Sequence, residues 1–146
     1  MSERLVIDLV GGERVIGAKV KRGLDFDSAI KEGFRSKVVA KFKANTKLSN
    51  AALSQALGIS MRTMDRLVQP KGASRIKPAV SDRLYRTAKI VALAEVVLED
   101  RDQALTWLLT KQAGLGDRIP FELIETDAGT HEVEEELQRI EHGFVA

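Results

Sequence analysis

Ser49-Asn50-Ala51-Ala52-Leu53-Ser54-Gln55-Ala56-Leu57-Gly58-Ile59-Ser60-Met61-Arg62-Thr63-Met64-Asp65-Arg66-Leu67 reads as two short helices meeting at a glycine corner. Gly58 is free to take the left-handed backbone that ends the first helix. The Ser60 hydroxyl is placed to accept an early amide of the second. Ile59 plugs the corner, and small Ser54, four residues before the glycine, lets the helices approach. Leu53, Leu57, Met64 and Leu67 fall on inward faces at helical spacing. Together these spacings make a helix-turn-helix pattern. A plain helical hairpin with a wet polar face is the alternative.

The second helix then turns Met61, Arg62, Thr63, Asp65, Arg66 and Gln69 outward. Arginine binds guanine bidentately, glutamine binds adenine, and Thr63 suits a phosphate or a thymine methyl. Lys71, Arg75 and Lys77, in a basic loop over 71–78, are placed to meet phosphates, which position a protein without reading sequence. The candidate DNA-binding residues are therefore Met61, Arg62, Thr63, Arg66, Gln69, Lys71, Arg75 and Lys77. Asp65 opposes phosphate approach at its own position.

Working outward, almost everything reads as helix. Leu5 to Val10, ended by Gly11-Gly12, is a short strand or a loose arm. Residues 13–22 look helical and close at Gly23. Asp25 or Asp27 caps a helix with Ile30, Phe34, Val38 and Phe42 at four-residue spacing, and Gly33 is a point where it can break. Beyond the central motif, Pro70-Lys71-Gly72 stops the second helix after Val68. Ser81 caps a long helix over 82–99. Its Ile90–Leu98 run is apolar nearly all round, which makes it a buried spine joining two halves. Asp102 begins a helix holding Ala104, Leu105, Trp107 and Leu108. Gly114-Leu115-Gly116 is a turn, and Pro120 opens a short helix through Ile124. Thr126-Asp127 leads into a last helix ending near His142, with Val133, Leu137, Ile140 and Phe144 as its apolar stripe. The fold class is all-α.

Composition agrees with a globular chain. Of 146 residues, 44% are apolar and 30% charged. The net charge of +2 hides an opposition: residues 1–89 carry 19 Lys+Arg against 8 Asp+Glu (+11), and residues 90–146 carry 4 against 13 (−9). A basic half suits a polyanion such as DNA, and an acidic half suits a basic protein or simple solubility. There is no cysteine, so disulfides and thiolate metal sites are excluded. Charge interrupts the opening apolar run too soon for a signal peptide. Ile90–Leu98, broken by Glu95, falls far short of the ~20 residues of a membrane span. A soluble, cytoplasmic protein is expected.

No enzymatic constellation is present in the sequence. His131 and His142 lie about 16 Å apart along one helix and cannot share a metal. Gly114-Leu115-Gly116 lacks the third glycine and the strand of a nucleotide loop. The expectation is no catalytic residue, no metal and no cofactor.

The chain resembles the Xre/MbcA/ParS group of antitoxins, partners of RES-domain toxins, over about residues 25–146. The likeness is looser in Ala51-Ala52-Leu53, Leu57-Gly58-Ile59-Ser60 and Arg62-Thr63, and better in Ser81-Asp82-Arg83-Leu84-Tyr85-Arg86. It is strongest in Ala104-Leu105-Thr106-Trp107-Leu108, in Leu115-Gly116-Asp117-Arg118-Ile119-Pro120-Phe121-Glu122-Leu123-Ile124, in Thr126-Asp127-Ala128-Gly129 and in Arg139 to Ala146. The resemblance implies an Xre-like helix-turn-helix region over 25–89 packed with a toxin-binding domain over 90–146. Residues 1–24 match poorly and form an N-terminal arm of unknown role. It further implies a type II antitoxin that binds a RES toxin acting on NAD, does no chemistry itself, dimerises, forms a hetero-oligomer with the toxin and represses its own operon.

The tail has chemistry suited to a plug. Gly143 gives a joint, Phe144 an apolar anchor, and the chain closes on a carboxylate. Glu141 and that carboxylate suit arginines that otherwise hold a dinucleotide's phosphates. Phe144 either folds back on its own helix or inserts into a partner, and the resemblance favours insertion. The candidate toxin-binding residues are Arg139, Glu141, His142, Gly143, Phe144, Val145 and Ala146. The acidic face of Glu132, Glu134, Glu135 and Glu136 reads as solvated. The rival readings are a stand-alone helix-turn-helix repressor whose acidic half serves dimerisation, and an antitoxin that never binds DNA.

Overall fold

The computed structural model describes residues 2–69 and 74–143. Its elements run α1 (Ser2–Leu9), α2 (Glu13–Ile16), α3 (Gly23–Glu32), α4 (Lys37–Thr46), α5 (Asn50–Leu57), α6 (Met61–Leu67), α7 (Pro78–Leu98), α8 (Arg101–Leu108), a 3₁₀ turn (Ala113–Leu115), α9 (Pro120–Leu123) and α10 (Asp127–Glu141). Among the described residues no strand forms and the all-α expectation holds; two isolated backbone bridges, Arg35 to Arg75 and Gln112 to Arg118, are the only extended pairings.

The apolar run of α7 makes it the spine. From the first half α1, α3 and α5 pack on it; from the second, α8 and α10. Ile90, Val91, Ala92 and Ala94 are buried, and the core continues without a break from Phe26, Phe34, Phe42, Leu53 and Leu84 to Leu108, Val133 and Leu137. Trp107 is half-buried at the edge of this core. Glu95, the charge that interrupts the run, pairs with Arg101 at 3.3 Å across the α7–α8 corner. Asp100 Oδ2 accepts the Gln103 amide at 2.8 Å, so the cap of α8 is Asp100 and not Asp102.

The N-terminal segment corrects the sequence reading. Leu5–Val10 is neither strand nor loose arm. It belongs to α1 and the turn that follows, with Val6, Ile7, Leu9 and Val10 buried. Its apolar residues are nearly consecutive, so they fit either period. What settles the helix is tertiary: Asn45 Nδ2 donates to the carbonyls of Asp8 (3.2 Å) and Leu9 (2.9 Å), groups that a helix C-terminus leaves unpaired. Residues 13–22 are helical only to Ile16, where left-handed Gly17 ends α2. Gly23 starts a helix instead of closing one. Asp25 does cap that helix, but from inside its first turn, accepting the amides of Lys21 (2.9 Å) and Arg22 (3.3 Å) on Oδ2.

The start of α7 is also corrected. Pro78 opens it at the position that needs no amide, three residues before Ser81. Ser81 is fully buried instead of capping. Its Oγ accepts the Phe34 amide at 2.9 Å and donates to the Lys77 carbonyl at 3.1 Å. Tyr85 of the same helix tilts against Phe26, ring centres 4.7 Å apart. Burial, with the charge of Glu3 adding to it, pushes the Tyr85 phenol above its ordinary range.

Candidate functional site

The corner between α5 and α6 is built as its residues require. Ser49 Oγ accepts the Ala52 amide at 3.0 Å and opens α5. Gly58 takes φ +68° and closes it. The amides of Gly58 and Ile59 then return to the carbonyls of Gln55 (3.2 Å) and Ser54 (3.0 Å). Ser60 Oγ accepts the Thr63 amide at 3.1 Å and opens α6. Leu53, Leu57 and Met64 are buried beneath, and Leu67 is half-buried. Ser54 is buried at the crossing, where its hydroxyl serves the Ala51 carbonyl at 2.9 Å and lies 3.3 Å from Met61 Sδ.

On α6 this leaves Met61, Arg62, Asp65 and Arg66 exposed along one stripe that Gln69 extends, with Thr63 half-buried beside it. Met61 is 47% exposed even though its sulfur touches Ser54. Gln69 Nε2 donates weakly to the Asp65 carbonyl at 3.4 Å. No ion pair occupies Arg62 or Arg66 among the described residues.

The chain after α6 is fastened to the α3–α4 junction. Ser36 N donates to the Ser74 carbonyl and Ile76 N to the Phe34 carbonyl, each at 2.8 Å. Arg75 Nη1 adds a bond to the Gly33 carbonyl at 2.9 Å. This brings Arg75 and Lys77 into the lining of a cleft of about 690 Å³ that Arg66 of α6 also lines, with Ile59, Leu67 and Val80. Arg66, Arg75 and Lys77 therefore line one opening that has no acidic residue among its described lining residues. Pro70 and Lys71 lie outside the described residues. The sequence reading missed Arg83, whose guanidinium fills the space where a β-carbon on Gly58 would sit. It comes from α7, 25 positions away, and no local pattern connects the two.

The second candidate region is the end of α10. Val133 and Leu137 are buried and Ile140 is half-buried, as the apolar stripe requires. Beyond them Glu141, His142 and Gly143 are exposed, and Gly143 takes φ +77°. Arg139 Nε pairs with Glu136 Oε1 at 2.8 Å. Arg139 also joins two shallow grooves: one of about 430 Å³ with Leu115, Arg118, Thr126 and Gly129, and one of about 290 Å³ with Glu135, Gln138 and His142. Glu136 departs from the solvated-face reading, because its side chain is only 14% exposed and is packed beneath Gly114. His131 Nε2 lies 3.1 Å from Glu135 Oε1 on the solvent side of the helix. Phe144, Val145 and Ala146 lie outside the described residues.

No helix among the described residues is long and apolar enough to cross a membrane. Residues 25–89 match the family model for the antitoxin Xre-like helix-turn-helix domain. Residues 92–143 match that for the antitoxin Xre/MbcA/ParS C-terminal toxin-binding domain. Among curated proteins, the chain is 33% identical over 131 residues to an antitoxin Xre of Yersinia enterocolitica, covering 89% of this chain and 87% of the relative. An antitoxin Xre of Photorhabdus laumondii is 25% identical over 137 residues, 91% of this chain and 89% of the relative. One from Pseudomonas putida is 38% identical over 64 residues, 44% of this chain and 40% of the relative. A helix-turn-helix half and a toxin-binding half, in this order on one chain and with a relative this similar over most of its length, identify a member of the Xre/MbcA/ParS antitoxin family.

Proposed function

We propose that this chain neutralises a RES-domain toxin that consumes NAD, by inserting its C-terminal segment into the toxin's active site, and that it represses its own operon. Residues 25–89 serve DNA and residues 90–146 serve the toxin. The chain works in the cytoplasm as a homodimer and as a hetero-oligomer with its toxin, binds no cofactor and catalyses nothing. Arg139, Glu141, His142 and Gly143 lead into Phe144, Val145 and Ala146, which fill the cleft. Met61, Arg62, Thr63, Arg66 and Gln69 face bases, while Lys71, Arg75 and Lys77 take phosphates.

The observation that carries the toxin reading is the exposure of Glu141, His142 and Gly143 beyond the stripe that docks α10. Val133, Leu137 and Ile140 dock the helix, and the exposed Glu141, His142 and Gly143 are open to a partner. The open cationic stripe of α6 supports the DNA reading.

The test is co-expression with a RES-domain toxin. The full chain is expected to restore growth. A chain ending at His142 is expected to melt at the same temperature and fail to restore it. Equal rescue by both chains would refute the plug. A stand-alone repressor would bind promoter DNA and give no rescue with either chain.

A further inference from the structure

Asp65 stands in the middle of the exposed stripe of α6, one turn past Arg62 and one turn before Gln69. A carboxylate there repels phosphate, and its spacing from Arg62 is one at which the two would normally pair. They do not pair; among the described residues Asp65 makes no ion pair with Arg62 or Arg66. Instead Asn50, the first residue of α5, donates from Nδ2 to Asp65 Oδ1 at 2.9 Å. Asn50 Oδ1 is buried without a partner. A buried acceptor left unsatisfied is costly. Turning the amide over would set its oxygen against the carboxylate, which is worse. The amide therefore gives up its own acceptor to fix the carboxylate.

The geometry points to Asp65 as a base-reading residue, with Asn50 as its positioning residue and the exocyclic amino group of a cytosine as its ligand. With Oδ1 held by Asn50, Oδ2 of the exposed Asp65 remains as an acceptor. In the major groove guanine offers acceptors, and thymine an acceptor and a methyl. Adenine offers an amino group beside the N7 acceptor, which repels a carboxylate. Cytosine offers the amino group alone. Tying Asp65 to α5 also leaves Arg62 and Arg66 free for guanine and phosphate. This inference rests on the DNA reading proposed above.

The test is selection of bound duplexes from a random-sequence library by the full chain and by three variants. The wild-type chain is expected to enrich a motif with one fixed cytosine. Asp65→Asn is expected to exchange that cytosine for adenine, whose N6 and N7 match an amide. Asp65→Ala is expected to lose discrimination at that position by about tenfold or more. Asn50→Ala is expected to keep the cytosine preference in weakened form, with the rest of the motif intact. Circular-dichroism melting checks folding, and if one Asp65 variant does not fold the other carries the test. A motif unchanged in the folded Asp65 variants overturns the inference and leaves Asn50–Asp65 as a clasp between two helices. A wild-type motif without a fixed cytosine also overturns it. A wild-type chain that enriches no motif at any salt concentration overturns the DNA reading itself, a distinct outcome.

Discussion

The backbone carbonyl of Ile76 occupies the space where a β-carbon on Gly33 would have to sit. Gly33 also has φ +86°, a region that side chains disfavour. The obstacle is main chain and not the tip of a side chain, so it cannot swing away. Gly33→Ala is expected to lower stability by about 1–3 kcal/mol, measured by urea unfolding. Because Ile76 is flanked by Arg75 and Lys77, the same variant is expected to weaken DNA binding under conditions where it is fully folded.

Asn45 joins α4 to the last carbonyls of α1. Asn45→Ala is expected to cost about 1–3 kcal/mol, because the carbonyls of Asp8 and Leu9 lose their donor next to buried apolar side chains. Removing residues 1–10 is expected to be far worse. It strips Val6, Ile7, Leu9 and Val10 from the core at about 1.5–3 kcal/mol each, which is comparable with the whole stability of a domain. Loss of cooperative melting in the truncated chain is the measurement.

Gly114 and Glu136 compete for one space. A β-carbon at Gly114 would overlap the Glu136 carboxylate, which Arg139 also holds. Gly114→Ala is expected to destabilise by about 1 kcal/mol or more. Glu136→Ala clears the space, so the double variant is expected to be more stable than the sum of the two single losses. An additive double-mutant cycle in urea would show that the two residues do not interact.

Arg62→Ala and Arg66→Ala are each expected to reduce specific DNA affinity by about 1–3 kcal/mol if the arginine reads a base. An arginine that meets phosphate will instead weaken binding to every sequence alike and lessen the salt slope by about one. Competition binding over a range of salt concentrations separates the two.

The helix-turn-helix was legible because its signals are local. Ser49, Gly58 and Ser60 do what their positions along the chain require. The contacts of the N-terminal helix were not legible, because Asn45 reaches α1 across 36 and 37 positions. Ser81 misled for the same reason. It resembles a helix cap, but its partner is the amide of Phe34, 47 residues upstream. In the candidate sites, the exposed stripe of α6 followed from helical spacing. The grip of Asn50 on Asp65 and the place of Arg83 beside Gly58 depend on how separate helices cross, which no spacing rule contains.

The 21 residues of α7 extend about 30 Å and contribute to the packing of both halves. Among the described residues no hinge of exposed chain separates the helix-turn-helix half from the toxin-binding half. Cutting anywhere within this rod would bare apolar surface on both fragments. The two halves are thus expected to be lost in a single melting transition, so that a protease able to open either end would disarm the whole molecule at once.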